Sequence, residues 1–397
     1  MRLKRRPIAS VFACAAAIVC AFPTIWASDH AQASGRSFSR GLPTDPSFFP
    51  LAVWLQNPTK AAALRAIGIN TFVGLWRPPT AADLAQLESQ GMNLIVEQTP
   101  EALALRDSPV IRGWLHIDEP DNAQPNGKGG YGDCISSEEL IRRYDETRSR
   151  DPTRPVYLGF GQAVANPLWP GRGAKCGAIP PAEYYTKASR GADIVDFDIY
   201  PVVETRQTGV MGRLDLVGRG VRNLRKWTPA GTPVWADIET THINHPTRRP
   251  MPKDIYSEVW IAIICGATGI NYFLHEWQPS FREDGVFRYR DAVAEITRIN
   301  QQVSGLAPLL NSVSIENAVR IESSAEIAHM VKRDAHATYI FAVNMENKEA
   351  KVRISLGHFE SGRTLVTDGD RRIKLDGDTF EDAFEAYAVH IYRVQGN

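Results

Sequence analysis

Short apolar runs rich in Val, Ile, Phe and Trp recur along this chain. Nearly every one is followed by a stretch whose apolar positions return at helical spacing. The first pattern predicts buried strands, the second amphipathic helices. Strands are expected over Phe49–Gln56, Ile69–Trp76, Asn93–Gln98, Val110–Ile117, Pro155–Gly161, Ile194–Tyr200, Val234–Glu239 and Ile270–Trp277. Helices are expected over Thr59–Ile67, Ala81–Gln90, Pro100–Arg106, Leu214–Trp227, Asp254–Ala267 and Tyr289–Val303. Two more begin at Ser136, where Ser136-Ser137-Glu138-Glu139 suits a cap, and at Pro180, a favoured first-turn residue. Strands that alternate with helices make a parallel sheet, and eight such units predict an α/β fold, a (β/α)8 TIM barrel over 46–310. An open doubly wound sheet would want a glycine-rich phosphate loop after the first strand, and none is there.

From Asn311 onward the helical period stops. Ala318–Ile321, Ile327–Lys332, Thr338–Val343, Val352–Leu356 and Ala388–Arg393 read as short strands, separated by turns such as Asp368-Gly369-Asp370 and Asp376-Gly377-Asp378. Residues 311–397 are therefore expected to form a small C-terminal antiparallel β-domain, an accessory unit like a β-sandwich that props the barrel.

The N-terminus has a different pattern. Arg2, Lys4, Arg5 and Arg6 precede the apolar stretch Ile8–Ile25, and Ala31-Gln32-Ala33 offers a small-x-small cleavage site. Residues 1–33 read as a secretory signal peptide, with a mature start near Ser34 and a linker over 34–45. No later apolar run is long enough to span a bilayer, so a secreted or periplasmic protein without a stable membrane anchor is expected. Lys plus Arg equals Asp plus Glu, at 45 each, with no basic stripe, which argues against a nucleic-acid partner. Export would permit Cys134 and Cys176 to pair, since both lie in loops after strands. Cys265 falls in an apolar helix and reads as a buried thiol. No Cys/His spacing resembles a zinc site. A metal-dependent barrel hydrolase would want His-x-His in the first strand, which instead reads Val53-Trp54-Leu55-Gln56. The sequence specifies no oligomeric state.

Candidate chemistry concentrates at the ends of strands four and seven, where Gly113-Trp114-Leu115-His116-Ile117-Asp118-Glu119 and Val234-Trp235-Ala236-Asp237-Ile238-Glu239 terminate. In a (β/α)8 barrel the C-terminal strand ends carry the active site. Alternation places Trp235, Asp237 and Glu239 on the inward face, with Val234, Ala236 and Ile238 against the helices. The same rule puts Trp114, His116 and Asp118 inward and Leu115 and Ile117 outward. Strand six offers Asp196, Asp198 and Tyr200, and strand eight Asn271, Phe273, His275 and Trp277. A lone Glu after a strand usually serves a loop or a helix; two at these ends are the equipment for glycosidic cleavage. Asp196 and Asp237 are read as members of an internal polar network, since buried charges need partners.

The order of these motifs resembles the clan A glycoside hydrolases, across roughly Pro46 to Leu310. The resemblance implies Glu119 as acid/base and Glu239 as nucleophile of a retaining enzyme. It also implies substrate contacts from Arg77 after strand two, Tyr200 at strand six and Trp277 at strand eight. Trp54, Trp76 and Trp169 are further candidate sugar platforms, and His242 a further candidate contact, since sugars present C–H faces to aromatic rings. The clan has Asn before the acid/base, whereas this chain has Asp118. An adjacent Asp-Glu also resembles substrate-assisted hexosaminidases, in which Asp118 would orient an acetamido group and Glu239 would be no nucleophile. A carbohydrate-binding barrel without turnover is the third reading. The expected partner is a carbohydrate substrate, and neither step of the retaining route needs a metal or cofactor.

Overall fold

Eight parallel strands pair in the order β6-β5-β4-β3-β2-β1-β8-β7. They are β1 (Leu51–Trp54), β2 (Thr71–Val73), β3 (Asn93–Glu97), β4 (Ile111–Leu115), β5 (Val156–Phe160), β6 (Ile194–Phe197), β7 (Trp235–Glu239) and β8 (Gly269–Phe273). The computed structural model describes residues 37–169, 171–172, 181–357 and 364–396. The expected leader and Cys176 lie outside the described residues. Residues 35–397 form one compact unit. Among the described residues, no helix is long and apolar enough to cross a membrane.

The helices that follow the strands are α1 (Ala61–Ala66), α2 (Ala81–Ser89), α3 (Pro100–Ala104), α4 (Ser137–Arg150), α5 (Pro181–Ala188), α6 (Asp215–Trp227), α7 (Pro252–Ile264) and α8 (Arg290–Leu310). Side-chain caps close the starts of α2 and α4, the latter at the Ser136 motif read in the sequence. Thr80 and Asp83 form a reciprocal capping box on α2, and the Ser136 hydroxyl accepts from the Glu139 amide on α4. The edges β6 and β7 share no extended ladder. One parallel bridge, Val195 with Val234, and one hydrogen bond, from Val195 N to Pro233 O at 3.0 Å, join them into a closed barrel.

Outward residues such as Leu51, Val53, Leu94, Val195 and Ile238 pack with the helices in one large core. Inward residues such as Ala52, Trp54, Val73, Ile95, Tyr157, Trp235 and Phe273 form a separate cluster within the barrel. In β7 the predicted alternation of Trp235 and Ala236 is seen directly. In β4 the predicted phase is reversed. Trp114 faces the helices and donates to Asp151 at 3.1 Å, His116 meets Leu140 O on α4, and Leu115 packs inward. The reversal covers residues 114–116 alone: Ile117 packs against the helix-side core and Asp118 reaches the barrel mouth, both as expected, so the alternation breaks where His116 and Ile117 both face outward.

The C-terminal region holds β9 (Arg320–Ser323), β10 (Ile327–Arg333), β11 (Thr338–Asn344), β12 (Ala350–Ser355), β13 (Thr364–Asp368), β14 (Arg371–Ile373), β15 (Thr379–Phe384) and β16 (Val389–Gly396). They make a five-stranded sheet, β10-β11-β16-β13-β14, and a three-stranded sheet, β15-β12-β9, all antiparallel. Between them lies a second core that includes Val331, Ile340, Val352, Ile354, Phe380 and Tyr392. Three strands went unread in the sequence: β13, β14 and β15 are short and carry charged residues on their open faces.

Strand β11 is the shared wall. Ile340 and Ala342 enter the sandwich core, while Phe341 and Val343 join the barrel's outer core. Phe341 stacks on Trp260 of α7 with ring centroids 5.6 Å apart, and the Ser257 hydroxyl donates to Tyr387 O at 2.8 Å. This explains the apolar residues around more than one face of α7: the barrel covers one side and the β-domain the other.

Close packing of α6 gives a test of the barrel's tolerance. A Cβ at Gly220 would lie 2.2 Å from the Phe197 ring of β6. Gly220→Ala gains helix propensity worth about 1 kcal/mol. The overlap should outweigh it, for a net destabilisation of roughly 1–2 kcal/mol in urea unfolding. An unchanged or raised midpoint would mean that α6 can ride outward freely.

Candidate active site

At the C-terminal end of the barrel, a cavity of about 310 Å³ opens among the ends of β1, β4, β5, β6, β7 and β8. Its size is at the lower end of the roughly 300–1,000 Å³ found for small-molecule sites. Aromatic side chains Trp54, Trp76, Phe273 and Trp277 line one side with His275; Asp118, Glu119, Asp196, Asp198 and Asp237 line the other. Tyr157 and Tyr200 also reach it, and Arg172 stands at the rim. Trp277 stacks on Phe273 at 5.6 Å, and Trp76 on His275 at 5.2 Å. The wall is held in place by polar tips: Trp76 Nε1 donates to Glu283 at 2.6 Å, and His275 Nε2 meets Leu55 O at 2.9 Å.

Glu119 sits in the left-handed backbone region, at φ 41°. Its amide donates to Gly159 O at 3.0 Å, which keeps the tip of β4 attached to β5. Its carboxylate accepts from Asn122 Nδ2 at 2.8 Å and from the Arg172 guanidinium. Asn122 is the hub of this corner, because its Oδ1 also accepts from Trp169 Nε1 at 2.8 Å and Arg172 N at 3.1 Å. Gly161 leaves the space: a Cβ there would lie 2.7 Å from Asn122 Nδ2 and 3.0 Å from Glu119 Oε1. Cys134, in the neighbouring loop, is disulfide-bonded.

The buried aspartates behave differently. Burial raises Asp118 and Asp196 to about 6 each, and holds Asp198 and Asp237 well above the ordinary carboxylate range. Mutual repulsion adds to this for Asp198 and Asp237, whose next causes are neighbouring aspartates. Asp196 is the best served, taking the Tyr157 hydroxyl, the Phe197 amide and a long bond from Asn271 Nδ2. Asp198 Oδ1 and Asp237 Oδ1 are buried without a hydrogen-bond partner. At neutral pH Asp198 and Asp237 hold protons and Asp118 and Asp196 are largely ionised, while Glu119 is ion-paired with Arg172.

Of the residues singled out in the sequence, Trp54, Trp76, Asp118, Glu119, Tyr200 and Trp277 line this cavity. Glu239 does not. It is fully buried, its Oε1 accepting from Val202 N at 2.6 Å and its Oε2 from Val203 N at 3.0 Å, with Glu258 of α7 against it. The predicted alternation holds through Asp237 and then fails, because the last strand residue turns into the seam beside the loop that leaves β6. Two carboxyls in contact cannot both be charged; burial raises Glu239 to about 8, and burial with the neighbouring Glu239 holds Glu258 well above the ordinary range. Neither Glu258 oxygen finds an ordinary donor, so the pair is held by a shared proton.

Three other expectations change. Arg77 is exposed and forms a two-pronged pair with Asp83 at 2.7 and 3.0 Å, serving the start of α2. Trp169 donates to Asn122 and is not among the residues lining the cavity. His242 lines a separate cavity of about 390 Å³ with His245, Glu276, Gln278 and Tyr289. Residues 275–278 alternate between the two cavities: His275 and Trp277 face the acidic one, Glu276 and Gln278 the other. Sequence reasoning took Asp237 for a network residue and passed over Arg172. Inward parity on β7 could have promoted Asp237; no pattern marks Arg172, which sits in a loop.

No family model matches the chain, and no curated protein matches it. Among solved structures, the α-amylase of Geobacillus thermoleovorans complexed with acarbose superposes with a TM-score of 0.50 at 10% identity, over 91% of this chain and 100% of that one. The family 30 xylanase Xyn30A of Clostridium acetobutylicum gives 0.43 at 11% identity, over 88% and 96%. A β-galactosidase of Marinomonas ef1 gives 0.45 at 14% identity, over 65% and 60%. At such identity the likeness to the amylase shows the fold: a (β/α)8 barrel followed by a β-domain.

The seam assignment of Glu239 has two measurable consequences. Glu239→Ala leaves two buried amides unpaired and should destabilise the protein by roughly 1–3 kcal/mol in urea unfolding. Glu239 ionises near 4.5 when exposed but near 8 in the fold, so the folded state holds the extra proton between these values. Its contribution to stability is fully present below about 4.5 and is lost as pH rises towards 8. Glu258→Gln removes the facing acid and should lessen that decline relative to the unaltered protein. Parallel stability curves for the two proteins would exclude the pair as its source.

Proposed function

We propose that this protein is a glycoside hydrolase that works in the barrel-mouth cavity by a retaining, two-carboxylate route, with Glu119 as acid/base and Asp237 as nucleophile. The observation that carries the reading is one small cavity holding a rim carboxyl, deeper carboxyls and an aromatic wall. A sugar ring placed on Trp54, Trp76 or Trp277 would bury its C–H face there. The α-amylase that shares the fold was solved with acarbose, which suits a carbohydrate ligand for such a barrel.

Placement decides the roles. The leaving group must depart through the mouth, so its proton comes from the rim, where Glu119 keeps part of its side chain in solvent. The nucleophile belongs beneath the ring, where Asp237 has an unpartnered oxygen. In the first step Asp237 attacks the anomeric carbon while Glu119 protonates the departing oxygen. In the second, Glu119 takes a proton from water, and that water displaces the Asp237 ester with net retention. Before this can run, substrate must part Arg172 from Glu119, and a proton must pass from the aspartate cluster to Glu119. Tyr200 and Asp198 border the path. The predicted leader and the bonded Cys134 support work outside the cytoplasm, where disulfides persist.

A panel of aryl glycosides and polysaccharides tests the assignment. Glu119→Gln and Asp237→Asn should each lower kcat/KM by about a hundredfold to ten-thousandfold. Glu239→Gln, compared per folded molecule, should stay within about tenfold of the parent, since it would touch no reacting atom. The first product seen by NMR should keep the substrate's anomeric configuration. Should Asp237→Asn turn over normally while Asp118→Asn is dead, the substrate-assisted route is the right one. No hydrolysis across the panel would leave a binding barrel.

A further inference from the structure

Five carboxyls line the candidate cavity, and Arg172 is the only guanidinium or ammonium among its described lining residues. Arg172 is already engaged by Glu119. The imbalance has three possible complements: a metal ion, a set of neutral hydroxyl donors, or an organic cation.

A metal is disfavoured by spacing. Among the described residues, the one group of three or more acidic, His or Cys side chains whose ligand atoms lie within 4.8 Å of one another is Asp368, Asp382 and His390, in the β-domain. No three of the cavity's described carboxyls bring ligand atoms that close together. The β-domain group is itself already balanced, since Arg371 donates to both aspartates.

The choice between hydroxyls and a cation turns on two independent features. Asp198 Oδ1 and Asp237 Oδ1 are buried without donors, and they belong to a cluster whose members repel one another. Hydroxyls can bond to such oxygens but do nothing for the repulsion; a positive charge does both. Opposite the acids stands the wall of Trp54, Trp76, Phe273 and Trp277. Aromatic faces attract cations as well as C–H groups. Acid on one side and indole on the other form the surroundings of an ammonium group.

Resting on the glycosidase reading, we propose that the sugar bound in this cavity carries a protonated amine, so that the substrates are glycosides of amino sugars with a free ammonium group. The charge also serves the chemistry. An ammonium beside Asp198 and Asp237 favours the ionised form of both, which frees one proton for Glu119 and one for solvent and leaves a carboxylate for attack. An acidic sugar would meet the same carboxyls as repulsion, and an N-acetylated one would bring no charge.

The test uses the full chain and two separate readouts. Aryl glycosides of glucosamine, galactosamine, their N-acetyl forms, glucose, galactose and glucuronic acid are compared by kcat/KM. Calorimetry follows the binding of the corresponding free sugars in two buffers of different ionisation enthalpy. The amine forms should be preferred by at least about tenfold, and their binding should release protons as the aspartates ionise. Asp198→Asn and Asp237→Asn should each reduce both the preference in binding and the proton release. Equal or better use of glucosides or N-acetyl forms overturns the inference and leaves the glycosidase reading standing. Amine binding with proton release but no hydrolysis of any glycoside upholds the cation site and defeats the glycosidase reading. Preference for the glucuronide, or amine binding without proton release, also overturns the inference.

Discussion

The barrel is held shut at its weakest seam by an acid. Strands β6 and β7 meet through one bridge and the Val195 N to Pro233 O bond, where every other neighbouring pair has a ladder. Just above, Glu239 of β7 accepts two consecutive amides from Val202 and Val203 in the loop after β6. Those bonds extend the seam where backbone pairing has stopped. Burying a carboxylate is costly unless its oxygens are satisfied, and two amides together with a shared proton from Glu258 satisfy them. Because α7 is covered by the barrel on one side and by β10 and β11 on the other, water has little access to either acid. The β-domain thus helps create the dry setting in which the seam acids keep their proton.

The seam arrangement determines what reaches the cavity. With Glu239 committed to the loop, Asp237 is the last β7 carboxyl whose side chain faces inward. The same loop carries Tyr200, so the residues that border the acids are tied to the closure of the barrel. Strain accompanies this precision. Leu55, Glu119 and Ile243 all have positive φ, at 40°, 41° and 50°, and all lie just beyond strand ends β1, β4 and β7. Non-glycine residues adopt that region at a cost of about 1–3 kcal/mol each, so the surrounding bonds must over-determine them. At Glu119 those bonds are Gly159 O, Asn122 and Arg172. Ile243 is held by the Thr241 hydroxyl and by pairing with the segment that carries Trp277.

The parts of this structure that were legible in the sequence are those governed by short periods. All eight barrel strands were visible because buried parallel strands are continuous apolar runs. Inward parity correctly grouped Asp196, Asp198 and Tyr200, and also Phe273, His275 and Trp277. Parity failed where something non-periodic intervened. At the end of β4 both His116 and Ile117 face outward, which reverses the expected phase of 114–116, and the final residue of β7 left the strand's plane to serve the seam. Arg172 had no period to betray it, and its position depends on Asn122 and Glu119, which are distant in sequence. Arg77 was credited to the site by its place after β2, yet Asp83 lies within reach on the next helix and claims it.

The remaining tension is in the cavity. A cluster of aspartates held in low dielectric by burial is unfavourable to folding, and this one is tolerated through donors such as Tyr157 and Asn271 and through retained protons. Two oxygens are nevertheless left without partners. Buried polar atoms without partners are rare in proteins, and each costs roughly 1–3 kcal/mol. A protein that kept this cluster for stability alone would gain by replacing Asp198 or Asp237 with an amide. Asp198 and Asp237 thus hold hydrogen-bonding capacity that the fold does not use. Arg172 and the protons balance the acids of the cavity.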